Sequence, residues 1–206
     1  MTFGLTFRWP LEGSAWSVFS TPFYPRYKSI NLFAFSDTHG LHNALHIPAD
    51  TDILICAGDA VEDNLDPADY RAFIDWFRQQ PGELKVFVPG NHELMFDIAP
   101  LWGKLLFENT GITLGYNTQL TYKGLSLYLL ATPAVPMNDV EQAQQADILV
   151  SHYPPEYLLG DDLQSEPLSH PAYHLFGHEH ADGGKRWKIG KQVRWNVSVY
   201  ERLLNL

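Results

Sequence analysis

The sequence predicts an α/β fold, a sandwich of mixed β-sheets flanked by helices. Three observations carry that prediction. Short apolar runs recur along the chain, and a striped helix candidate separates two of them. Turn signals dominate the last forty residues. Strands separated by helices early, and hairpins late, point to sheets of mixed strand direction.

The elements follow in order. Residues 1–28 hold eight aromatics among Pro10, Pro22 and Pro25, with weak periodicity. They read as an N-terminal arm whose rings pack on the chain's own domain, with a dimer contact or a lid as the sharper alternative. Residues 29–206 read as one domain, since no composition break or flexible linker divides them.

Five apolar runs then end alike: "INLFAFSDTHG", "TDILICAGDA", "ELKVFVPGNHE", "ADILVSHYPP" and "AYHLFGHEH". Short runs without polar alternation are expected of strands buried on both faces. Between the second and third, Asp66 can N-cap a helix that Pro67 opens. Tyr70, Phe73, Ile74 and Phe77 form its apolar stripe, and Pro81-Gly82 ends it. A second helix is expected over Ile98 to Phe107, and "NDVEQAQQA" suggests a short third. Residues 112–131 read as strands with a turn at Lys123-Gly124. "KRWKIGKQVRWNVSV" reads as a hairpin turning at Gly190-Lys191.

Bulk properties narrow the function. A net charge of −10 excludes bulk nucleic-acid binding or an anionic membrane as the main partner. The single cysteine, Cys56, permits neither a disulfide framework nor a cysteine-based zinc site. No apolar stretch is long enough for a membrane span, and the start lacks a signal-peptide pattern. The expectation is a cytoplasmic protein.

The five strand ends carry the chemistry. They present Asp37 and His39, then Asp59, then Asn91 and His92, then His152, then His178 and His180. In open α/β sheets the loops at the carboxyl strand ends build the ligand site. Oxygen and imidazole donors without thiolate suit Mn, Fe or Zn. Asp37, His39, Asp59, Asn91, His152, His178 and His180 exceed the needs of one ion. Two divalent ions sharing Asp59 fit the count. Such a centre would attract phosphate and acidify a bound water. In an extended backbone His178 and His180 would face the same way, with Gly177 permitting a tight turn.

Each motif alone has an ordinary reading. "SDTHG" is a turn, "PGNHE" a capped helix start, and "SHYPP" a core histidine beside a proline turn. Their joint placement at five strand ends is what points to a metal site.

The series Asp37-x-His39, Gly58-Asp59, Gly90-Asn91-His92-Glu93, His152 and Gly177-His178-x-His180 resembles the calcineurin-like metallophosphoesterase superfamily from about residue 31 onward. "FSDTHGLH", "DILICAGD", "PGNHE" and "NVSVYE" are similar to its small single-domain, MPPED-type group. The resemblance implies that Asp37, His39, Asp59 and His180 hold one ion, and Asp59, Asn91, His152 and His178 the other. It implies a metal-bridging hydroxide attacking phosphorus in line, with His92 helping the leaving group.

Departures from the pattern refine this. Protein Ser/Thr phosphatases of the superfamily carry Gly-Asp-x-Val-Asp-Arg-Gly, whereas this chain reads "GDAVEDN". Glu62 stands at the position that orients their histidine, and is either that or solvated loop charge. Asp63 replaces their phosphate-binding arginine. The reading is therefore a phosphodiesterase acting on a small phosphoester, nucleotides included. The alternatives are a phosphomonoesterase, a protein Ser/Thr phosphatase, or a nucleotide-binding regulatory protein with little turnover. His42 is read as a surface or helix-start residue, with reach into the substrate pocket as the alternative. His170 and His174 are read as non-ligands. Lys185, Arg186, Lys188, Lys191 and Arg194 either steer an anion or form a solvated hairpin face.

Overall fold

The structure is a computed structural model describing residues 5–10, 29–131, 137–158 and 171–206. Its strands are β1 (Leu5–Pro10), β2 (Ser29–Phe35), β3 (Ile53–Cys56), β4 (Leu84–Phe87), β5 (Ile112–Leu114), β6 (Thr118–Tyr122), β7 (Leu125–Leu130), β8 (Ile148–Ser151), β9 (Tyr173–Phe176), β10 (Arg186–Ile189) and β11 (Gln192–Asn196). The helices are α1 (Pro67–Gln79), α2 (Leu94–Ile98), α3 (Pro100–Phe107), α4 (Met137–Gln144), α5 (Pro155–Leu158) and α6 (Tyr200–Leu203). One sheet runs β1-β2-β3-β4-β5 and the other β10-β11-β9-β8-β7-β6.

All five apolar runs are strands, and both sheets mix directions as expected. The period-2 alternation of side chains builds the layers. Ile30, Leu32 and Ala34 of β2 face Leu127, Leu129 and Val150 of the other sheet in a core between the sheets. Phe33 and Phe35 point outward, onto Phe73 and Phe77 of α1 and Phe107 of α3. Tyr128 and Leu149 cover the far face with Ala143 and Leu158. Both faces of each sheet are thus covered over the centre, which is why these strands are continuously apolar.

α1 forms as its stripe predicts. Asp66 Oδ1 accepts from the Ala68 amide at 2.9 Å, and Tyr70, Phe73, Ile74 and Phe77 are buried. The expected second helix is two. Pro100 forces the residue before it out of the helical region, and Ala99 sits at φ −139°, ψ 61°, ending α2 and starting α3. Lys123 and Gly124 both have positive φ, 49° and 88°, as a two-residue hairpin turn requires. Among the described residues from 171 onward there is one hairpin, β10–β11, not several. β11 lies parallel to β9, and the chain then turns into α6.

From the stretch read as an arm, Leu5–Pro10 pairs antiparallel with β2 at the sheet edge. Residues 11–28 lie outside the described residues. No helix among the described residues is long and apolar enough to cross a membrane.

Candidate metal centre

The carboxyl ends of the central strands are laced together by backbone hydrogen bonds. The Asp37 amide donates to Gly58 O at 2.9 Å, the His39 amide to Asp59 O at 3.1 Å, and the Gly177 amide to His152 O at 2.9 Å. The two sheets join where Ser36 bridges Ser198, with the Ser36 amide donating to Val197 O at 3.1 Å. Loops from both sheets therefore converge on one place.

Four of the expected ligand residues have left-handed backbones: Asp37 (φ 57°), His39 (43°), Asp59 (52°) and His178 (70°). Each such residue costs about 1–3 kcal/mol, held in place by surrounding hydrogen bonds, and such strain gathers at functional sites. The route of His178 and His180 into the site differs from the expectation. β9 ends at Phe176, and the left-handed turn at His178 followed by the 3-10 turn His180–Asp182 aims both rings, rather than strand alternation. Gly177 is required for close approach, since a Cβ there would lie 2.6 Å from Asp37 Oδ2. Gly58 and Gly90 serve likewise, as a Cβ on either would press on the His152 ring at 2.7 and 2.8 Å.

Among the described residues the donor atoms fall into three groups: two share Asp59, and a third, of His39, Glu62 and His92, overlaps the first at His39. Asp37, His39, Asp59 and His180 offer ligand atoms within 4.8 Å of one another, as do Asp59, His152 and His178. Asn91 joins the second group: its Oδ1 lies 2.9 Å from His152 Nε2 and 2.9 Å from His178 Nδ1. In the first, His39 Nε2 faces His180 Nε2 at 3.2 Å, and Asp37 Oδ1 lies 3.3 Å from His180 Nε2. Two ring nitrogens facing each other beside carboxylates need a proton or a cation between them. The donor set therefore fits divalent metals.

Titration follows the same logic. Burial lowers the pKa of His39 and of His178. Burial also opposes charge on His152, yet Asp59, whose Oδ2 is 3.2 Å from its Nε2, raises it to about 9. A positive charge is thus favoured beside Asp59, where a bound cation would replace the proton. His152 Nδ1 faces Ala57 O at 2.9 Å, which leaves Nε2 aimed at the centre.

His92 flanks this centre, with its Nε2 3.9 Å from Asp59 Oδ2. The carboxylate beside His92 is Asp63, not Glu62. Asp63 Oδ1 stands 2.9 Å from His92 Nδ1, a close charge approach rather than an aligned hydrogen bond. Glu62 instead stands 3.5 Å from His39 Nδ1. His42 is buried against Phe73 and Trp76, so it belongs to the core and not to the surface. His174 is fully buried and meets Ser151 Oγ at 2.7 Å, remote from the ligand role. His170 lies outside the described residues. The basic group splits: Arg186 and Lys188 are exposed on β10, while Arg194 is buried.

Two residues carry roles that the sequence reading gave to neither. Glu93, 1% exposed, accepts from the amides of Asp59 (2.9 Å), Ala60 (2.8 Å), Val61 (3.3 Å) and Gly90 (2.6 Å). It ties the Asp59 loop to the Asn91 loop. Burial, with the charge of Asp59, pushes its carboxyl up to about 7. Tyr200 lies against both His39 and His180, with ring centroids at 4.8 and 4.4 Å. The signals were an acid immediately after "NH" and an aromatic in "NVSVYE"; neither spacing states what the side chain meets.

A family model described as calcineurin-like phosphoesterase matches residues 30–182. A UPF0046 protein of Caenorhabditis elegans is 31% identical over 191 residues, covering 75% of this chain and 65% of that protein. Human metallophosphoesterase domain-containing protein 1 is 42% identical over 62 residues, covering 30% of this chain and 18% of that protein. The chain therefore spans less than two thirds of the length of these relatives. Among solved structures, phosphopantetheinyl hydrolase from Mycobacterium tuberculosis superposes with a TM-score of 0.57 at 18% identity, covering 84% of this chain and 91% of that one. A protein of Thermus thermophilus superposes with a TM-score of 0.57 at 15% identity, covering 80% and 87%. These two likenesses concern the fold.

Proposed function

The chain belongs to the calcineurin-like phosphoesterase family, and from that premise we propose that it is a metal-dependent phosphoric ester hydrolase acting on phosphodiesters. The observation that carries the reading is Asp59. It joins the group of Asp37, His39 and His180 to the group of His152 and His178, with His92 beside it. We assign Asp37, His39, Asp59 and His180 to one divalent ion, and Asp59, Asn91, His152 and His178 to a second. Mn, Fe and Zn suit these donors. When bound, the ions neutralise phosphate charge and acidify water, from a pKa of about 15.7 toward about 7.

The chain's own residues do the rest. Glu93 fixes the loops of Asp59 and Asn91 relative to each other. Asp63 holds His92 so that Nε2 faces the centre. From there His92 stabilises charge on a non-bridging phosphoryl oxygen and donates a proton to the departing alkoxide. The rim favours diesters. Glu62 and Asp63, each with a side chain 62% exposed, bring negative charge to the rim, and Asp63 does so where phosphatases of the superfamily bring an arginine. A monoester dianion is repelled more by that rim than a diester monoanion. The substrate is a small diester, nucleotides included, and the setting is cytoplasmic.

Hydrolysis of bis-p-nitrophenyl phosphate with added Mn²⁺ tests the reading, beside p-nitrophenyl phosphate. Preference for the monoester would move the assignment to a phosphomonoesterase. Tight nucleotide binding without turnover under any divalent metal would make the protein a binding module.

A further inference from the structure

The inner side of α3 accounts for its place in the fold. Phe107 stacks on Phe87, with centroids 4.8 Å and planes 10° apart. A Cβ at Gly103 would lie 2.9 Å from Phe96 Cδ1, so α3 sits hard against α2. The outer side is apolar as well, without a partner to explain it. Leu101, Trp102 and Leu105 share that side and Ile98 precedes them, at 75%, 69%, 51% and 65% exposed. Leu65, in the loop before α1, is 45% exposed. A groove of about 360 Å³ runs between α1 and α3, lined by Leu65, Pro67, Met95, Ala99, Trp102 and Leu106.

Taking about 200 Å² for a wholly exposed side chain of this size, Leu65, Ile98, Leu101, Trp102 and Leu105 present roughly 600 Å² of surface. The largest apolar patch on a typical monomer is about 300–600 Å², and patches of that size mark contact sites. A standard interface buries about 800 Å² on each partner, so this patch supplies most of one. The tight seat of α3 means that little order is lost on contact. The ridge of Leu101 and Leu105 and the groove beside Trp102 lie on one surface. A two-fold contact needs both on the same copy, since each copy gives its ridge to the other's groove. Charge agrees. The chain carries −10, yet residues 98–107 hold no acid and one base, Lys104. Lys104 Nζ rests over the Tyr116 ring, 4.7 Å from its centroid. Two copies meeting here avoid much of the repulsion that their net charge imposes elsewhere.

We propose that the outer face of α2 and α3 is a two-fold interface with a second copy of this chain. Leu101 and Leu105 of one copy seat in the groove beside Trp102 of the other. The proposal does not depend on which phosphoester is cleaved, but it bears on the centre. Leu65 follows Asp63 by two residues, and Met95 follows His92 by three. The second copy therefore braces both segments that bring Asp63 to His92.

Sedimentation velocity and light scattering on the full chain read the stoichiometry. The expected result is twice the chain mass at about 50 μM protein, above the micromolar Kd that interfaces of standard size reach. Trp102→Lys and Leu101→Glu should each raise the dimer Kd roughly 100-fold, as loss of a central anchor does. Ile189→Lys, on the exposed strand β10, should leave it unchanged. All three side chains are exposed, so the variants should fold, and thermal melts check this. Amide exchange over residues 94–106 should be slower in the wild-type dimer than in Trp102→Lys. A monomer at about 100 μM overturns the proposal, and so does a dimer that neither patch variant weakens. A mass that climbs without limit as concentration rises overturns the two-fold closure. Co-sedimentation of a monomer with phosphatidylcholine vesicles, lost in Trp102→Lys, would give the patch to a bilayer and end the dimer.

Discussion

Asp63 Oδ1 lies 2.9 Å from Nδ1 of His92, on the side of the ring away from Asp59. The carboxylate stands where related phosphatases place an arginine, so this position lacks a phosphate-binding cation and instead sets an anion beside His92. His92→Ala should therefore lower kcat about 10²–10³-fold. Metal content by elemental analysis should be unchanged, because His92 stands outside the two proposed ligand groups. Asp63→Ala should lower kcat about tenfold, and Glu62→Ala should have less effect. Equal losses in Asp63→Ala and Glu62→Ala would refute the assignment of Asp63.

Asp59→Asn tests the shared position. If one carboxylate serves both groups, its loss should reduce bound metal below that of Asp37→Asn or His178→Ala, each of which touches one group. Elemental analysis and calorimetric titration with Mn²⁺ read this directly. Turnover should fall below detection, a loss of about 10³-fold or more.

Gly177→Ala tests the close approach. The added methyl meets Ser36 and Asp37 on one side of the first donor group. The expected outcome is a folded protein with weaker metal affinity and a melting temperature lower by several degrees, since displacing Asp37 and its loop costs about 1–3 kcal/mol. An unchanged Mn²⁺ titration would show that the loops separate at little cost.

His174 sets an acid limit on stability. Burial, helped by Arg194, lowers its pKa to about 3. The unfolded chain binds this proton near 6.5, so stability from the neutral ring declines as pH falls below about 6.5, until the folded form titrates. By pH 5 the loss from this group approaches about 2 kcal/mol. His174→Leu should lose less stability than the wild type between pH 7.5 and 5, measured by urea unfolding at both. Parallel losses would place the acid sensitivity elsewhere.

The strands and donor types were legible because their causes are local. A strand covered on both faces must be apolar throughout, as Ile53–Cys56 and Ile148–Ser151 are. The α1 start was legible because Asp66 and Pro67 act on their own neighbours. Pairing was not. That β11 lies parallel to β9, or that Leu5–Pro10 enters the sheet, depends on partners distant in sequence. The choice between Glu62 and Asp63 depended on how a loop turns after Asp59, which adjacent acids do not encode. Glu93 looked like one more acid in a motif. Its importance comes from four amides brought to it by folding.

Each of the two donor groups that share Asp59 draws on both sheets. Asp37, His39, Asp59 and Asn91 follow strands of the first, while His152, His178 and His180 follow strands of the second. Ions held there would act as clasps across the sandwich as well as reagents. Saturation at a hundred times Kd would add about 2.7 kcal/mol per independent site to the whole fold. Metal supply would then govern how long the protein survives proteolysis, so a cell short of the ion would lose the molecule along with its activity.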